Sequence, residues 1–187
     1  STVEIYIWCL PAVLLAKLQS AAALEHARRT LDEAGYAGPL WAMIETPAAL
    51  LRLGEITAYA DATGLRALVA GTNDLAAALR LPPQDELRTG LVPHLALIVA
   101  AARAAGCAAI DGVRNDFRDP ERLEREARAG RGLGFDGKTL IHPAQIGPAR
   151  AGYAPEPGEL AEARAIVAAF ENPENAGKGA VNVNGSM

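Results

Sequence analysis

Trp41-Ala42-Met43-Ile44-Glu45-Thr46-Pro47 and Ala67-Leu68-Val69-Ala70-Gly71-Thr72-Asn73-Asp74-Leu75 are the two stretches that decide how this chain folds. Each is an apolar run too short for a free-standing helix, and each leads into a helical pattern. Such runs read as strands buried on both faces of a parallel sheet. Glu45 and Asp74 would then project from the same edge of that sheet. Two arrangements explain carboxylates there. Magnesium dehydrates reluctantly, so it takes one or two protein carboxylates and keeps its other positions for water and a chelating substrate. Alternatively, Glu45 caps a helix starting near Pro47 and Asp74 one starting near Leu75, as acids commonly do. One motif alone favours the cap; the matched pair favours the metal.

Outward from this pair the alternation continues. Strand-like runs at residues 12–18, 40–45, 65–71, 108–113 and 138–142 are separated by helical patterns at 21–34, 48–63, 87–105 and 120–133, and a last helical pattern covers 157–171. Strands joined through helices imply right-handed crossovers and a parallel sheet. Gly35, Gly64, Gly106 and Gly134 follow helices where a left-handed cap closes the last turn, while Pro120 and Pro157 open helices where a missing amide hydrogen costs nothing. Chemically useful residues gather at the strand ends, as on the catalytic face of a (β/α)8 barrel, yet five such units cannot close eight strands. The chain is either a small open α/β domain or a TIM-type (β/α)8 barrel lacking about its first three units, since a whole one takes about 250 residues. The incomplete barrel is the expectation, with residues 12–187 as that domain and residues 1–11 as an atypical leader.

With 187 residues, half of them apolar, a net charge of −4 and a pI near 5.4, the chain can bury a sizeable core and lacks the basic surface that nucleic acid demands. The mixed charges of residues 120–131 read as the solvated face of a helix. Cys9 and Cys107 each sit in an apolar run, as small buried hydrophobes rather than a disulfide or metal pair, which suits a reducing cytoplasm. Residues 5–16 are apolar, but Pro11 interrupts them, Glu4 precedes them and the run is too short to span a bilayer, so no membrane partner is expected.

Three segments are more specific: Met43-Ile44-Glu45-Thr46, Gly71-Thr72-Asn73-Asp74-Leu75, and the stretch from Ile110-Asp111-Gly112-Val113 through Gly134-Phe135-Asp136-Gly137-Lys138-Thr139-Leu140-Ile141-His142-Pro143-Ala144-Gln145-Ile146. Together they resemble the citrate lyase β-subunit family of CoA-ester lyases, which includes malyl-CoA and citramalyl-CoA lyases and belongs to the wider HpcH/HpaI aldolase group. The resemblance covers residues 12–187.

It implies a TIM-type barrel in which Glu45 and Asp74 hold magnesium, or manganese in its place, and act in catalysis chiefly through the metal. It also implies that the backbone amides of Thr72, Asn73 and Asp74 meet the carboxylate of an oxoacid or hydroxyacid. A glycine ahead of a helix start suits an anion's close approach to such amides, although Gly71 equally serves an ordinary strand-to-helix turn. The implied reaction is reversible Claisen-type cleavage of a 3-hydroxyacyl-CoA to an oxoacid and an acyl-CoA. Asp111, Ile141, His142 and Pro143 are the candidate CoA contacts. Asp111 also fits a plain Asp-Gly turn, and His142 has no carboxylate partner identifiable in the sequence that would make it a general base. Lys17 follows the first apolar run as a lysine does in the family, where an ion pair or an exposed head explains it better than Schiff-base chemistry. Asp116, Arg118 and Asp119 fit a helix-start turn before Pro120, and His26 and His94 fit surface or packing positions.

The resemblance further places a substrate-binding arginine and more acidic residues in a preceding N-terminal third. Another acid follows the Gly185-Ser186-Met187 element and reaches a neighbouring subunit. A homo-oligomer, a trimer or a multiple of it, is therefore expected, with weak activity from these residues alone. The competing readings are a class II aldolase on free hydroxy-oxoacids, a malyl-CoA-type thioesterase and a non-catalytic barrel remnant. CoA contacts and a metal separate them.

Overall fold

A computed structural model of the chain describes residues 12–83, 88–172, 175, 177–178 and 180–182. The leader with Cys9, the segment holding Asp85 and Glu86, and the Gly185-Ser186-Met187 element lie outside the described residues. The apolar runs form β1 Val13–Leu15, β2 Leu40–Ile44, β3 Leu65–Ala70, β4 Ala108–Asp111 and β5 Gly137–Lys138. They make one sheet in the order β1-β2-β3-β4-β5, every pair parallel. A doubly wound sheet reverses its strand order at a switch point. This sheet adds strands in one direction, as a TIM-type barrel does, so the expected α/β class and barrel order hold over five consecutive strands.

The helices are α1 Ala21–Glu33, α2 Pro47–Leu51, α3 Leu53–Thr57, α4 Ala60–Thr63, α5 Thr72–Ala78, α6 Val92–Ala104, α7 Pro120–Gly132, α8 Ile146–Tyr153 and α9 Pro157–Glu171. One sheet face packs beneath α1, α3, α5 and α6: Leu40, Ala42 and Ile44 are fully buried and join Leu24, Ile56, Leu75, Leu95 and Ile98 in a single core. The other, inner face carries the row Met43, Val69 and Ile110, which are register partners across β2, β3 and β4. Gly35, Gly64, Gly106 and Gly134 all take positive φ after helices, as expected. Pro120 and Pro157 open α7 and α9. Cys107 is a free, buried cysteine.

Three features depart from the expected elements. The pattern at residues 48–63 breaks into α2, α3 and α4, because the chain leaves helical dihedrals at Arg52 (φ −118°, ψ 18°) and Tyr59 (φ −97°, ψ 11°); Gly54, Thr57 and Thr63 are weak helix formers in this stretch. Periodicity does not show α5 and α8. α5 is only seven residues long, and α8 contains Gly147, Pro148 and Gly152. Pro148 is tolerated in the first turn. At Gly152 a Cβ would lie 2.6 Å from Ala127 Cβ and 2.7 Å from Glu124 O, so this glycine lets α8 press against α7. Finally, β5 ends at Lys138 rather than reaching His142. Gln145 Oε1 accepts the Ile141 and His142 N–H groups at 2.9 and 3.2 Å, taking donors that a strand ladder would need.

Residues 154–187 form a compact unit of their own around α9, which opens with a capping box between Glu156 and Glu159. Among the described residues no helix is long and apolar enough to cross a membrane.

The turn after β4 depends on the absence of a side chain at Gly112. A Cβ there would meet Thr72 Oγ1, and would lie 2.5 Å from Thr72 Cγ2 and 2.6 Å from Ala70 O. Gly112→Ala is expected to lower stability by about 1–3 kcal/mol, the usual cost of overpacking, read as a lower urea midpoint. Gly132→Ala, where a Cβ meets nothing within 4 Å, should not destabilise. Equal midpoints for the two variants would contradict the packing described.

Candidate metal centre

Glu45 lies two residues beyond Met43, so it shares that residue's inner-face parity, and it is 6% exposed. It lines a cleft of about 140 Å³ together with Met43, Gly71, Asp74, Val113 and Thr139. Its Oε1 accepts the Lys17 backbone N–H at 2.6 Å. Lys17 itself holds the left-handed conformation, φ 52°. On the other side Gly71 makes room: a Cβ there would collide with Glu45 Cβ and stand 3.1 Å from Glu45 Oε2. The capping alternative fails for Glu45, because Thr46 caps α2 and its Oγ1 accepts the Ala49 N–H at 3.1 Å.

Asp74 does not cap its helix either. The N-cap of α5 is Gly71, which supplies no side chain, so Asp74 stands inside the first turn, where the helix dipole favours a negative charge. Its Oδ2 is 3.6 Å from Lys17 Nζ, with both side chains more than half exposed; a solvated pair of this kind contributes at most about 1 kcal/mol. Thus one residue addresses both carboxylates, Glu45 through its amide and Asp74 through its ammonium. Lys17 carries an exposed, paired head, the reading expected over a Schiff base. Thr72 is buried, while Asn73 is exposed and exchanges amide hydrogen bonds with Asn115 at 3.1 and 3.0 Å.

The donor set fits magnesium. Both candidate ligands offer hard carboxylate oxygens, Glu45 nearly buried and Asp74 more than half exposed, and the described residues contain no group of three or more His, Cys, Asp or Glu able to complete a cage. Magnesium is normally held by one or two carboxylates with water and substrate in its remaining positions, and this donor set would allow that.

Residues 10–143 match the family model described as HpcH/HpaI aldolase/citrate lyase. The chain belongs to the HpcH/HpaI aldolase/citrate lyase family. It is 43% identical over 176 residues to a (3S)-malyl-CoA thioesterase of Cereibacter sphaeroides, covering 94% of this chain and 59% of that protein. It is 37% identical over 123 residues to the mitochondrial citramalyl-CoA lyase of Homo sapiens, covering 66% and 36%. Among solved structures, Mycobacterium tuberculosis CitE in complex with magnesium, acetoacetate and coenzyme A is 30% identical with a TM-score of 0.71, covering 96% of this chain and 63% of that one. The chain therefore spans less than two thirds of these relatives.

In this family member Asp111 is not on the cleft. It comes one residue after Ile110 and so turns to the helix-covered face, where it is completely buried. Arg88 donates to both of its oxygens at 2.7 and 2.9 Å, and the Gly112 N–H donates at 2.7 Å. Lys138 Nζ lies 3.1 Å from Asp111 and 2.6 Å from Glu126 Oε1, the latter an ion contact without hydrogen-bond geometry. Arg114 completes the layer, 3.0 Å from Glu126. With no exposed oxygen, Asp111 cannot contact CoA directly, contrary to expectation. The charges of residues 120–131 are not all solvated either: Glu126 is 3% exposed, on the buried stripe of α7 with Leu123, Ala127 and Gly130.

Ile141, His142 and Pro143 lie exposed after β5. The His142 ring stacks on Phe117 at 4.4 Å, and its Nδ1 accepts the Ala144 N–H at 3.1 Å. His142 is a cap and a stacking platform at the surface, outside the small cleft. Asp119 caps α7 through the Arg122 N–H, and Asp116 accepts the Arg118 N–H, as the helix-start reading requires.

Burial pushes the Asp111 carboxyl up, but Lys138, Arg88 and the Gly112 N–H outweigh it and hold the group below the usual carboxylate range. A depressed folded value means the stabilisation is complete above the unfolded pKa of about 3.9 and is lost as pH falls through the folded one. Asp111→Asn is expected to cost about 3–5 kcal/mol at neutral pH, as breaking a buried pair does. It should also flatten the fall in melting temperature below about pH 4. A variant as acid-sensitive as the parent would show that this layer is not what acid disrupts.

Proposed function

We propose that the protein is a magnesium-dependent enzyme acting on a 3-hydroxyacyl-CoA of the malyl, citramalyl or citryl type. The bond between the hydroxyl-bearing carbon and the carbon alpha to the thioester breaks: the hydroxyl proton leaves, an oxoacid forms, and the electron pair passes to the acyl-CoA enolate, which is then protonated. The observation that carries this reading is the convergence of Glu45 and Asp74 on one cleft at the ends of adjacent strands. The CitE complex named with magnesium, acetoacetate and coenzyme A supports it.

When bound, magnesium, or manganese in its place, supplies Lewis-acid stabilisation of the developing oxoacid oxygen. Glu45 and Asp74 hold that ion, and the Lys17 N–H fixes the orientation of Glu45. The amides at the uncapped start of α5, from Thr72 to Asp74, receive the substrate carboxylate, and the Lys17 ammonium adds positive charge beside Asp74. Ile141, His142 and Pro143 offer an exposed surface for the CoA moiety. A homo-oligomer, with a trimer as the family pattern, would bring a neighbour's groups to this edge, and a reducing cytoplasm suits the free Cys107.

A second reading is hydrolysis of the same thioesters. It is favoured by the 43% identity to proteins named (3S)-malyl-CoA thioesterase. The two differ in products: an oxoacid with an acyl-CoA for cleavage, a free hydroxyacid with CoA for hydrolysis.

Asp74→Ala should weaken magnesium binding, measured by calorimetry, by more than the roughly 10–100-fold typical when only a ligand's hydrogen-bond partner is lost. Its melting curve should stay close to the parent's. Unchanged affinity would remove Asp74 from the metal site. Product analysis with malyl-CoA then separates the readings: glyoxylate with acetyl-CoA supports the lyase, malate with CoA supports the thioesterase, and no turnover of any malyl-type thioester refutes both.

A further inference from the structure

The helix that carries Asp74 starts on few supports. α5 is seven residues long, and its N-cap Gly71 makes no side-chain cap hydrogen bond. A helix this short does not hold itself together in water. Two buried side chains, Thr72 and Leu75, anchor one side of its first turn. The exposed side is held by Asn73, whose Nδ2 donates to Asn115 Oδ1 at 3.1 Å and whose Oδ1 accepts from Asn115 Nδ2 at 3.0 Å.

The two partners are not equally mounted. Asn115 stands on the loop after β4, whose backbone is tied down at successive residues. The Asp111 carbonyl accepts the Thr139 N–H at 2.9 Å and Thr139 Oγ1 at 3.1 Å, and Lys138 Nζ donates to the Gly112 carbonyl. Gln145, whose side chain is 1% exposed, donates its Nε2 to the Arg114 carbonyl at 2.8 Å. Asn115 therefore follows an anchored residue directly, and the loop sets the helix start rather than the reverse. A single exposed hydrogen bond adds little to stability, because water replaces it. Two in one planar amide pair restrict rotation as well as distance. The residue after Asn73 is Asp74, whose side chain is otherwise more than half exposed.

We propose that Asn115 is a positioning residue: its amide pair with Asn73 fixes the first turn of α5 and so holds the Asp74 carboxylate where it and Glu45 address one divalent ion. The fixing of α5 stands on the hydrogen bonds alone, whereas its effect on the ion rests on the metal-centre reading. Asn115 ligates nothing in this scheme and acts only through Asn73. Its contribution is pre-organisation, because a ligand that must be ordered at the moment of binding gives up part of its affinity.

The test compares the parent with Asn115→Ala, Asn73→Ala and the double variant. The pair is exposed, so melting curves should stay close to the parent's. Without any divalent ion, hydrogen exchange reads the turn through the Leu75 N–H, which donates to the Gly71 carbonyl at 3.0 Å. Its exchange should quicken about two- to tenfold in Asn115→Ala, the range to which one net hydrogen bond converts, while amides of β3 keep the parent's rates. Magnesium affinity, measured by calorimetry, should fall by a similar factor although no charge has been removed. The double variant should bind no more weakly than either single one, since a shared interaction is lost only once. Unchanged Leu75 exchange in Asn115→Ala overturns the hold on α5. Faster exchange with the parent's magnesium affinity overturns the role at the ion, and additive losses in the double variant overturn the amide pair as its route. A parent that binds no magnesium refutes the metal-centre reading separately, because the exchange measurement still decides whether Asn115 holds α5.

Discussion

Side chains alternate across a strand, and on this sheet that alternation sends one strand-end carboxylate into the cleft and another into the helix layer. Glu45 continues the parity of Met43, whose row with Val69 and Ile110 forms the inner face. Asp111 follows Ile110 by one residue and points the other way, beside its register partner Lys138. A one-residue shift exchanges the two faces entirely. An acid on the inner face lines the cleft, where it is open to a metal in the proposed function; one on the helix face must be neutralised internally or stay protonated. The same residue type at nominally equivalent strand ends therefore serves opposite purposes.

The layer behind the sheet is costly by itself. Desolvating several charges usually outweighs their mutual attraction, so a buried network of this kind is weak evidence of stability. Its effect here is positional. Lys138 Nζ donates to the Gly112 carbonyl, Thr139 donates its N–H to the Asp111 carbonyl at 2.9 Å, and Gln145 Nε2 donates to the Arg114 carbonyl at 2.8 Å. These bonds fix the loop after β4 from below. Val113 on that loop walls the metal cleft, and Asn115 holds Asn73. The charged layer thus sets one side of the site without touching it.

Much of this was legible in the sequence because it rests on local chemistry. Apolar runs of strand length, glycines after helices and prolines at helix starts gave the parallel order, and the paired acids marked the cleft. The departures have equally local causes. The position of Asp111 at a strand end suggests a CoA contact, whereas its parity relative to Ile110 turns it to the helix layer. The mixed charges of residues 120–131 suggest a solvated face, but the spacing of Glu126 from Leu123 and Gly130 puts it on the buried stripe of α7. The amide donation from Lys17 to Glu45 leaves no sequence signal, because a backbone N–H looks the same at every residue. Arg88 could not be assigned from sequence, since its role depends on Asp111, far along the chain.

The chemistry finally turns on how protons are handled at the inner face. Cleavage and hydrolysis both need the frame that Glu45 and Asp74 provide, but cleavage must deliver a proton to the enolate carbon and hydrolysis must take one from water. Among the described residues lining the small cleft, the titratable groups are Glu45 and Asp74 alone, with the Lys17 ammonium beside them. Lys17 is exposed and paired with Asp74. His142 is spatially apart, its Nδ1 taken by a backbone amide. In the proposed reaction the described cleft would supply binding and polarisation, with the proton coming from solvent or from a group beyond the described residues. Whether such a group stands over the enolate carbon or over the thioester carbonyl is what divides a lyase from a thioesterase on one and the same metal frame.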